Sequence, residues 1–259
     1  MTSSDNDIGL KSVHLTIDAL ELLSREQRDI GISEMANLLG TTKGTVFRHM
    51  QTLLARGYVT QSESSHRYRL GPQAACLGQS AIDHTDIVER ARPHLSALRE
   101  ATGETVALSL VDQQGVVILS KVMGKSPLEI GVRVGSRLAL HSSAQGKIAL
   151  AFGPSLLLAQ YERQDLASFT PHTIETTSEL KAALERIRQT GIAEAPNEYM
   201  LGVNAIAAPI RDRSGALVAT VAVVGSIQNV DARTKPEMIE AIVATAQKIS
   251  TDLGYVGNV

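Results

Sequence analysis

Polar and basic side chains crowd the first two turns of the segment TTKGTVFRHMQTLL, residues 41–54. The apolar residues of this segment recur at the spacing of one helical face, which leaves the hydroxyl and guanidinium groups on the opposite face. Short hydroxyl side chains, a glycine and a long guanidinium are the groups with which a helix contacts base edges and phosphates in a major groove. The segment therefore predicts a DNA-recognition helix. Its predicted DNA-contacting residues are Thr41, Thr42, Lys43, Thr45, Arg48, His49 and Thr52.

A three-helix unit is expected to position this helix. Residues 12–24 have the apolar spacing of a first helix, and Ser33 is placed to cap a short second helix that Gly40 ends. Thr41 or Thr42 would cap the third helix. The short, glycine-containing turn between the second and third helices is the spacing of a helix-turn-helix.

A basic hairpin follows the predicted recognition helix. Two strand-like runs, at 58–60 and 67–70, are joined by a polar, serine-rich connection. A hairpin in this position is typical of a wing, whose His66 and Arg67 would contact the DNA backbone or the minor groove. The sequence thus predicts a winged helix-turn-helix DNA-binding domain over residues 8–71.

The positive charge of the chain is concentrated on this domain. Residues 36–70 hold five basic side chains and one acidic side chain, a local net charge of +4, whereas the whole chain has a formal net charge of -2. Taken alone, the third helix favours an ordinary amphipathic helix with a solvated polar face, and His66 and Arg67 would then be polar turn residues. The helix-turn-helix spacing, the hairpin and the segregated charge together favour DNA binding.

The region after the wing predicts a second domain. Residues 72–90 indicate a linker helix and residues 91–257 a separate domain, in which Pro93 marks a break or the first turn of a helix. From residue 104 the hydrophobic period is that of strands, which predicts an α+β fold with helices around one mixed sheet. The predicted strands are TVALSLVD, GVVILSKV, LEIGVRV, NAIAAPIRD and ALVATVAVVG, and the predicted helices are 143–152, 155–162, 177–191 and 235–254.

Motifs and composition argue against several other classes of function. The single cysteine, Cys76, rules out an intrachain disulfide and a multi-cysteine metal site, and the seven histidines lack metal-ligand spacing. None of GxSxG, a Walker loop, GxGxxG after a strand or HExxH occurs. His141 and Ser142 could suggest a base and its nucleophile, but adjacent residues seldom face each other. We therefore expect no enzyme activity, no metal and no cofactor.

The N-terminal sequence and the hydropathy of the chain indicate its cellular compartment. The polar, acidic N-terminus has no apolar signal region, and no apolar run reaches the roughly 18 residues that span a bilayer. A cytoplasmic protein without a membrane partner is expected.

Three stretches resemble the isocitrate-lyase-regulator (IclR) family of bacterial transcription regulators. ISEMANLLGTTKGTVFRHMQTLLARGYV followed by YRLG is similar to the family's winged helix-turn-helix. LALHSSAQGKIALAF and GVNAIAAPIRDRSGALVATVAVVG are similar to the two signature stretches of its ligand-binding domain. The resemblance, from about Lys11 to Tyr255, implies a GAF-like mixed α/β effector-binding domain, a small-molecule effector, and a homodimer or a tetramer built as a dimer of dimers.

The resemblance also implies an effector pocket. Members that bind small acids often carry Cys and Ser where this chain has Ala205, Ala222 and Val224, so a larger or more apolar ligand with one carboxylate is expected. The amides that begin the helix at residue 144 would suit that carboxylate. Alternatively, the three residues are core positions on strands that face a helix. The implied pocket residues are Leu138, Ser143, Ala144, Gln145, Gly146, Ala195, Asn197, Asn204, Ala205, Ala222 and Val224.

These features together predict a ligand-responsive transcription regulator. We expect a repressor of a catabolic operon whose effector is a small organic acid or an aromatic-type metabolite. Two winged modules of a dimer would contact a pseudo-palindromic double-stranded DNA operator, and the linker helix would transmit the effect of the ligand. The alternative is a GAF-like small-molecule-binding or enzymatic domain whose winged-helix module contacts other proteins.

Overall fold

A computed structural model describes residues 10–26, 28–83, 86–126, 132–161, 165–231 and 235–257. The chain separates into two compact units, one up to residue 84 and one from residue 85 onward. Among the described residues, no helix has the length and the apolar character needed to cross a membrane.

The first unit is a three-helix bundle with a short hairpin and one further helix. Thr42 caps the third helix by accepting a hydrogen bond from the Thr45 amide, and Gly40 ends the second in the left-handed region, with φ 62°. The second helix begins at Ile32 after Gly31, with no side-chain cap, so the predicted Ser33 cap is wrong. The elements are α1 (Lys11–Glu26), α2 (Ile32–Leu38), α3 (Lys43–Ala55), β1 (Val59–Gln61), β2 (Tyr68–Leu70) and α4 (Pro72–Asp83).

One apolar core holds the bundle and the hairpin together. Met35 of α2, Met50 of α3 and Tyr68 of β2 are fully buried in it. Strands β1 and β2 pair antiparallel, and Ile30 forms a bridge to Tyr68 that ties the hairpin to the helices. The position of the wing relative to α3 therefore depends on this shared core.

The second unit contains one five-stranded sheet with helices on both faces. Its strand order is β4-β3-β7-β6-β5, and every pairing among the described strands is antiparallel, so the expectation of a mixed sheet is wrong. Strand pairs β3–β4 and β6–β7 follow each other through short turns, which impose antiparallel pairing. The elements are α5 (Asp86–Thr102), β3 (Thr105–Asp112), β4 (Gly115–Val122), α6 (Ala144–Phe152), α7 (Ser155–Tyr161), α8 (Thr177–Thr190), β5 (Ala193–Glu194), β6 (Val203–Arg211), β7 (Leu217–Ser226) and α9 (Pro236–Asp252).

Side chains alternate between the two faces of the sheet, so the helices of this unit form two layers, one on each face. Helices α6 and α8 pack on the sheet face that carries Ala107, Ala207 and Ala222, whereas α5 and α9 pack on the opposite face. The three alanines are paired across β3, β7 and β6 and are fully buried, so they form a row of small side chains under α6.

Two predictions for the start of the second domain need correction. Helix α5 begins at Asp86, inside the range predicted as linker, and α4 covers the linker only to Asp83. Pro93 lies inside α5 rather than at a break or a first turn. The helix therefore tolerates one missing amide donor at this proline. The predicted strand at 128–134 falls largely outside the described residues, and its described part, residues 132–134, is not a strand.

The burial pattern of α2 gives a matched pair of substitutions. Met35→Ala is expected to lower the free energy of unfolding by about 2–5 kcal/mol, because it opens a cavity in a fully buried site. Leu38→Ala on the same helix removes a side chain that is 53% exposed and should change it by about 0.5 kcal/mol or less. Urea denaturation followed by circular dichroism measures both. Equal losses would contradict the assigned core.

Candidate functional site

The outward face of α3 carries hydroxyl groups and uncompensated positive charge. Thr42 Oγ1 accepts the Thr45 amide at 3.2 Å and lies 2.9 Å from Thr45 Oγ1, so the cap also orders the second hydroxyl. Lys43 and Arg48 are exposed, and within the described ranges neither has an acidic partner. Both cations are therefore available to a polyanion.

Three further predicted contact residues are also at the surface or in a turn. The Thr41 amide donates to the Ala36 carbonyl and closes the turn between the two helices, and Thr52 Oγ1 donates to the Arg48 carbonyl one turn earlier. His66 is exposed near the tip of the wing in the left-handed region, with φ 52°. Its side chain is held away from the core of the unit by that backbone conformation.

The structure places His49 away from the exposed face of α3. His49 Nδ1 lies 2.6 Å from Thr16 Oγ1 of α1, and the residue is half-buried between the two helices. A ring that bonds to α1 is not on the outward face, so His49 is a packing residue of the bundle. No local pattern predicts this pair, because its members are 33 residues apart.

Arg67 is also occupied within the protein. Its Nη1 donates to the Asp29 carbonyl at 3.0 Å and to Glu34 Oε2 at 3.2 Å. The same carboxylate accepts from Arg28, and these hydrogen bonds lower the pKa of Glu34. Arg67 therefore fixes the wing to α2, and its side chain is still 46% exposed, so its contact with DNA stays a prediction.

One exposed residue of α3 was missed by the sequence prediction. Phe47 is a large apolar side chain that is 49% exposed between Thr45 and Arg48. An exposed ring can contact a thymine methyl group in a major groove. Its position off the apolar stripe was the available signal.

The second unit contains an apolar cavity beside the N-terminal end of α6. The cavity has a volume of about 100 Å³ and lies between this helix, the sheet and the loop that follows β5. None of the described side chains that line it is charged. They are Ile118, Val132, Leu138, Ser142, Ser143, Gln145, Ala195, Tyr199, Met200, Val203, Ala205 and Val224.

Six of the eleven implied pocket residues line this cavity, and two more are adjacent in α6. Ala144 is fully buried in the core rather than in the cavity wall. Gly146 lies against Leu140, where an added Cβ would be 2.4 Å from the Leu140 Cα, so it allows a close approach and does not face the cavity. The six lining residues are Leu138, Ser143, Gln145, Ala195, Ala205 and Val224.

The other three implied residues lie elsewhere. Asn204 is on the opposite face of β6 from Ala205, and its Nδ2 donates to the Val230 carbonyl at 2.8 Å. Asn197 holds a turn, with φ 58° and its Oδ1 accepting the Gly202 amide at 2.6 Å. Ala222 lies on the same sheet face as Val224, two residues earlier in β7, and is buried in the alanine row.

Of the two serine hydroxyl groups in the cavity lining, only that of Ser142 is without a partner in the described part of the chain. Ser143 Oγ donates to the Ala139 carbonyl and accepts the Gly146 amide, and Gln145 Nε2 donates to Ser109 Oγ at 3.0 Å. Ser142 Oγ is buried and unpaired. A buried hydroxyl without a partner is costly, so Ser142, a residue of the cavity lining, has hydrogen-bonding capacity that the described part of the protein leaves unused.

Several lining residues could have been found from the sequence. Val203 precedes Ala205 by two positions on a strand, so the alternation of side chains places both on one face. Tyr199 and Met200 belong to an irregular loop, and no periodic signal places such side chains. Ser142 was considered only as a possible nucleophile.

The described residues show no arrangement of catalytic or metal-binding groups. No group of three or more His, Cys, Asp or Glu in them could hold a metal ion. His141 Nε2 bonds to the Ala167 carbonyl at 2.9 Å, and neither its Nδ1 nor the neighbouring Ser142 Oγ has a partner. The two residues therefore form no base–nucleophile pair.

Comparison with known proteins covers both units. Residues 13–63 match the model of the IclR helix-turn-helix domain, and residues 79–251 match that of the bacterial transcriptional regulator IclR C-terminal domain. The glycerol operon regulatory protein of Streptomyces coelicolor is 31% identical over 95% of this chain and 97% of its own length. The regulator KdgR of Escherichia coli is 30% identical over 98% of this chain and 98% of its own length.

Solved structures give the same result for the fold. The IclR protein of Thermotoga maritima has a TM-score of 0.72 at 29% identity, and the comparison covers 95% of this chain and 100% of that one. An IclR regulator from Alicyclobacillus acidocaldarius has a TM-score of 0.83 at 26% identity, over 94% and 98% of the two chains. The chain therefore belongs to the IclR family of bacterial transcriptional regulators, which are DNA-binding proteins and not enzymes.

Proposed function

We propose that the protein is a repressor whose binding to an operator responds to a small molecule in the apolar cavity. The observation that carries this proposal is the presence of an outward, uncompensated cationic face on α3 in one unit and an apolar cavity in the other. The names of its relatives, including a glycerol operon regulatory protein, support a catabolic operon as the target.

The DNA-binding part of the proposal uses the outward face of α3. Thr42, Lys43, Thr45 and Arg48 would contact base edges and phosphates in the major groove, and His66 at the wing would reach the backbone. Thr41 and Thr52 flank that surface. A cytoplasmic homodimer, or a tetramer of two dimers, would bring two such faces to the half-sites of a pseudo-palindrome.

The chemistry of the cavity favours a ligand with an apolar body and one acidic group. Its described walls are mainly aliphatic and aromatic and carry no charge, so a polyol or a dicarboxylate would lose hydration with little compensation. Gln145 lines the cavity at the second position of α6, where amides have no intrahelical acceptor. Those amides and Ser142 Oγ suit one carboxylate, as in a small branched or aromatic acid.

Arg48→Ala tests the DNA-binding surface. The variant should bind the protein's own upstream DNA more weakly by about 1–3 kcal/mol, because a guanidinium contact to a base edge is lost. Fluorescence anisotropy at several salt concentrations measures this loss. Lys43→Ala should instead weaken specific and random DNA alike and reduce the salt slope by about 1.

Lys248→Ala is the matched control for both variants. Lys248 is an exposed cation on α9, in the other unit, and its loss should leave both affinity and salt slope unchanged. Unchanged DNA binding by Arg48→Ala and Lys43→Ala together would exclude this face of α3 as the DNA contact surface.

Ala205→Leu tests the ligand cavity. Benzoate and isovalerate should raise the thermal unfolding midpoint of the parent protein, since a ligand at 100 times its Kd stabilises by about 2.7 kcal/mol. The added leucine side chain would fill a cavity of about 100 Å³ and abolish that rise. Ser142→Ala should weaken binding by about 0.5–1.5 kcal/mol, because one hydrogen bond is lost.

Ala244→Leu serves as the control, because it adds the same side chain at an exposed position of α9. It should leave the response to both acids intact. Stabilisation by glycerol but by neither acid would contradict the proposed ligand class, and full stabilisation of Ala205→Leu would place the ligand elsewhere.

A further inference from the structure

One stretch of irregular backbone separates two cavities in the second unit. Residues 194–200, which we call the partition, contribute Ala195, Tyr199 and Met200 to the wall of the apolar cavity. The same stretch contributes Glu194, Pro196 and Glu198 to a second cavity on its other side, with a volume of about 390 Å³. The partition is thus a wall with unfilled space on both sides.

Close packing alone cannot fix the position of such a wall. Protein interiors hold their side chains in place by filling space, and a segment between two cavities lacks part of that support. Tyr199 and Met200 are also about half exposed, at 53% and 50%. The position of the partition therefore depends on hydrogen bonds as well as on packing. The Ala195 amide donates to the Ala205 carbonyl at 3.1 Å and the Asn197 amide to the Val203 carbonyl at 2.8 Å, which joins the backbone to β6.

Lys147 supplies two further hydrogen bonds from α6. Its Nζ donates to Glu198 Oε1 at 2.5 Å and to the Glu194 carbonyl at 2.9 Å, so a single ammonium group joins two points of the partition. Lys147 is 3% exposed and follows Gln145, which lines the apolar cavity, by two residues. Lys147 itself lines only the second cavity.

Two threonines hold the backbone of the partition from another segment. Thr173 Oγ1 donates to the Glu198 carbonyl at 2.6 Å, and Thr170 Oγ1 donates to the Asn197 carbonyl at 2.6 Å. These contacts limit the partition near residue 198. Lys147 gives the partition its hydrogen bonds to α6, the helix that also borders the apolar cavity, and Ala195 packs in the same core cluster as Ile148 of that helix.

Burial imposes a desolvation cost on the Lys147–Glu198 ion pair. Burial lowers the pKa of the Lys147 ammonium and raises the pKa of the Glu198 carboxyl, because the cost of desolvation exceeds the attraction between the two charges. Glu198 Oε2 is also buried without a partner in the described part of the chain. Apolar replacement of buried ion pairs is often neutral or stabilising, so a role in position accounts better for this pair.

We propose that Lys147 is a positioning residue that holds the partition in place as a wall of the apolar cavity, so that ligand affinity depends on a side chain outside that cavity. The inference rests on the proposed role of this cavity as the ligand site. It adds that α6 holds the partition in place through an ion pair that lies on the side of the second cavity.

The test uses a single fluorophore on the partition. The chain contains no Trp, so Tyr199→Trp provides one reporter in the full-length protein. In that background we compare Lys147→Met combined with Glu198→Leu against the intact ion pair, without ligand. The double variant should keep or raise the unfolding midpoint, while its emission shifts to the red and its acrylamide quenching constant rises.

Lys248→Met is the matched control, since it removes an exposed lysine of α9, and it should alter neither signal. Unchanged emission and quenching in the folded double variant would overturn the proposal. Should the double variant fail to fold, Glu198→Gln is measured in its place. Glu198→Gln removes the charge with little change of shape. Its emission and quenching test the proposal in the same way as those of the double variant.

Ligand affinity separates this inference from the proposed function. Benzoate should bind the double variant, without the Trp reporter, about tenfold more weakly if the partition is correctly placed one-tenth of the time. If the fluorescence changes as expected but benzoate does not bind the parent protein, the positioning role stands and the assigned ligand class fails. If benzoate binds both proteins equally, the positioning role fails and the ligand site stands.

Discussion

The N-terminal end of α6 packs directly against the backbone of Leu140, and the ligand cavity depends on this contact. Gly146 makes it possible, because any side chain at this position would overlap the Leu140 backbone. The close approach brings Ser142, Ser143 and Gln145 to one border of the cavity. It also sets where Lys147 begins, and hence where the partition is held. The absence of a side chain at Gly146 therefore affects both the α6 border of the cavity and the partition.

Much of the fold could be predicted because its signals are local. The Thr42 cap and the left-handed Gly40 are encoded within a few residues, and they define the helix-turn-helix. Thr176 and Gly191 define α8 in the same way, by capping its first turn and ending it in the left-handed region. The alternation of apolar residues likewise marks β6 and β7. Such a motif can be recognised from neighbouring residues because its hydrogen bonds form within one helical turn.

The sequence prediction missed features that depend on residues distant in the sequence. His49 meets Thr16 across 33 residues, and Arg67 meets Glu34 across the same separation, so neither pairing has a local signal. Strand direction depends on which strands become neighbours, and helix α5 continues through Pro93 despite the missing donor. For the cavity, the resemblance indicated eleven residues of which six line it, whereas the side-chain alternation of β6 excluded Asn204 and the loop after β5 supplied Tyr199 and Met200.

The row of Ala107, Ala222 and Ala207 across three paired strands lies next to the cavity, under Ala205 and Val224. Each alanine contributes only a methyl group, so substitutions in this row can change the depth of the cavity in small steps without moving the strands. A larger residue in this row would make the recess shallower, and a glycine would make it deeper. Under the proposed function, relatives with the same backbone would differ in the size of ligand that this cavity accepts through a few substitutions in the alanine row.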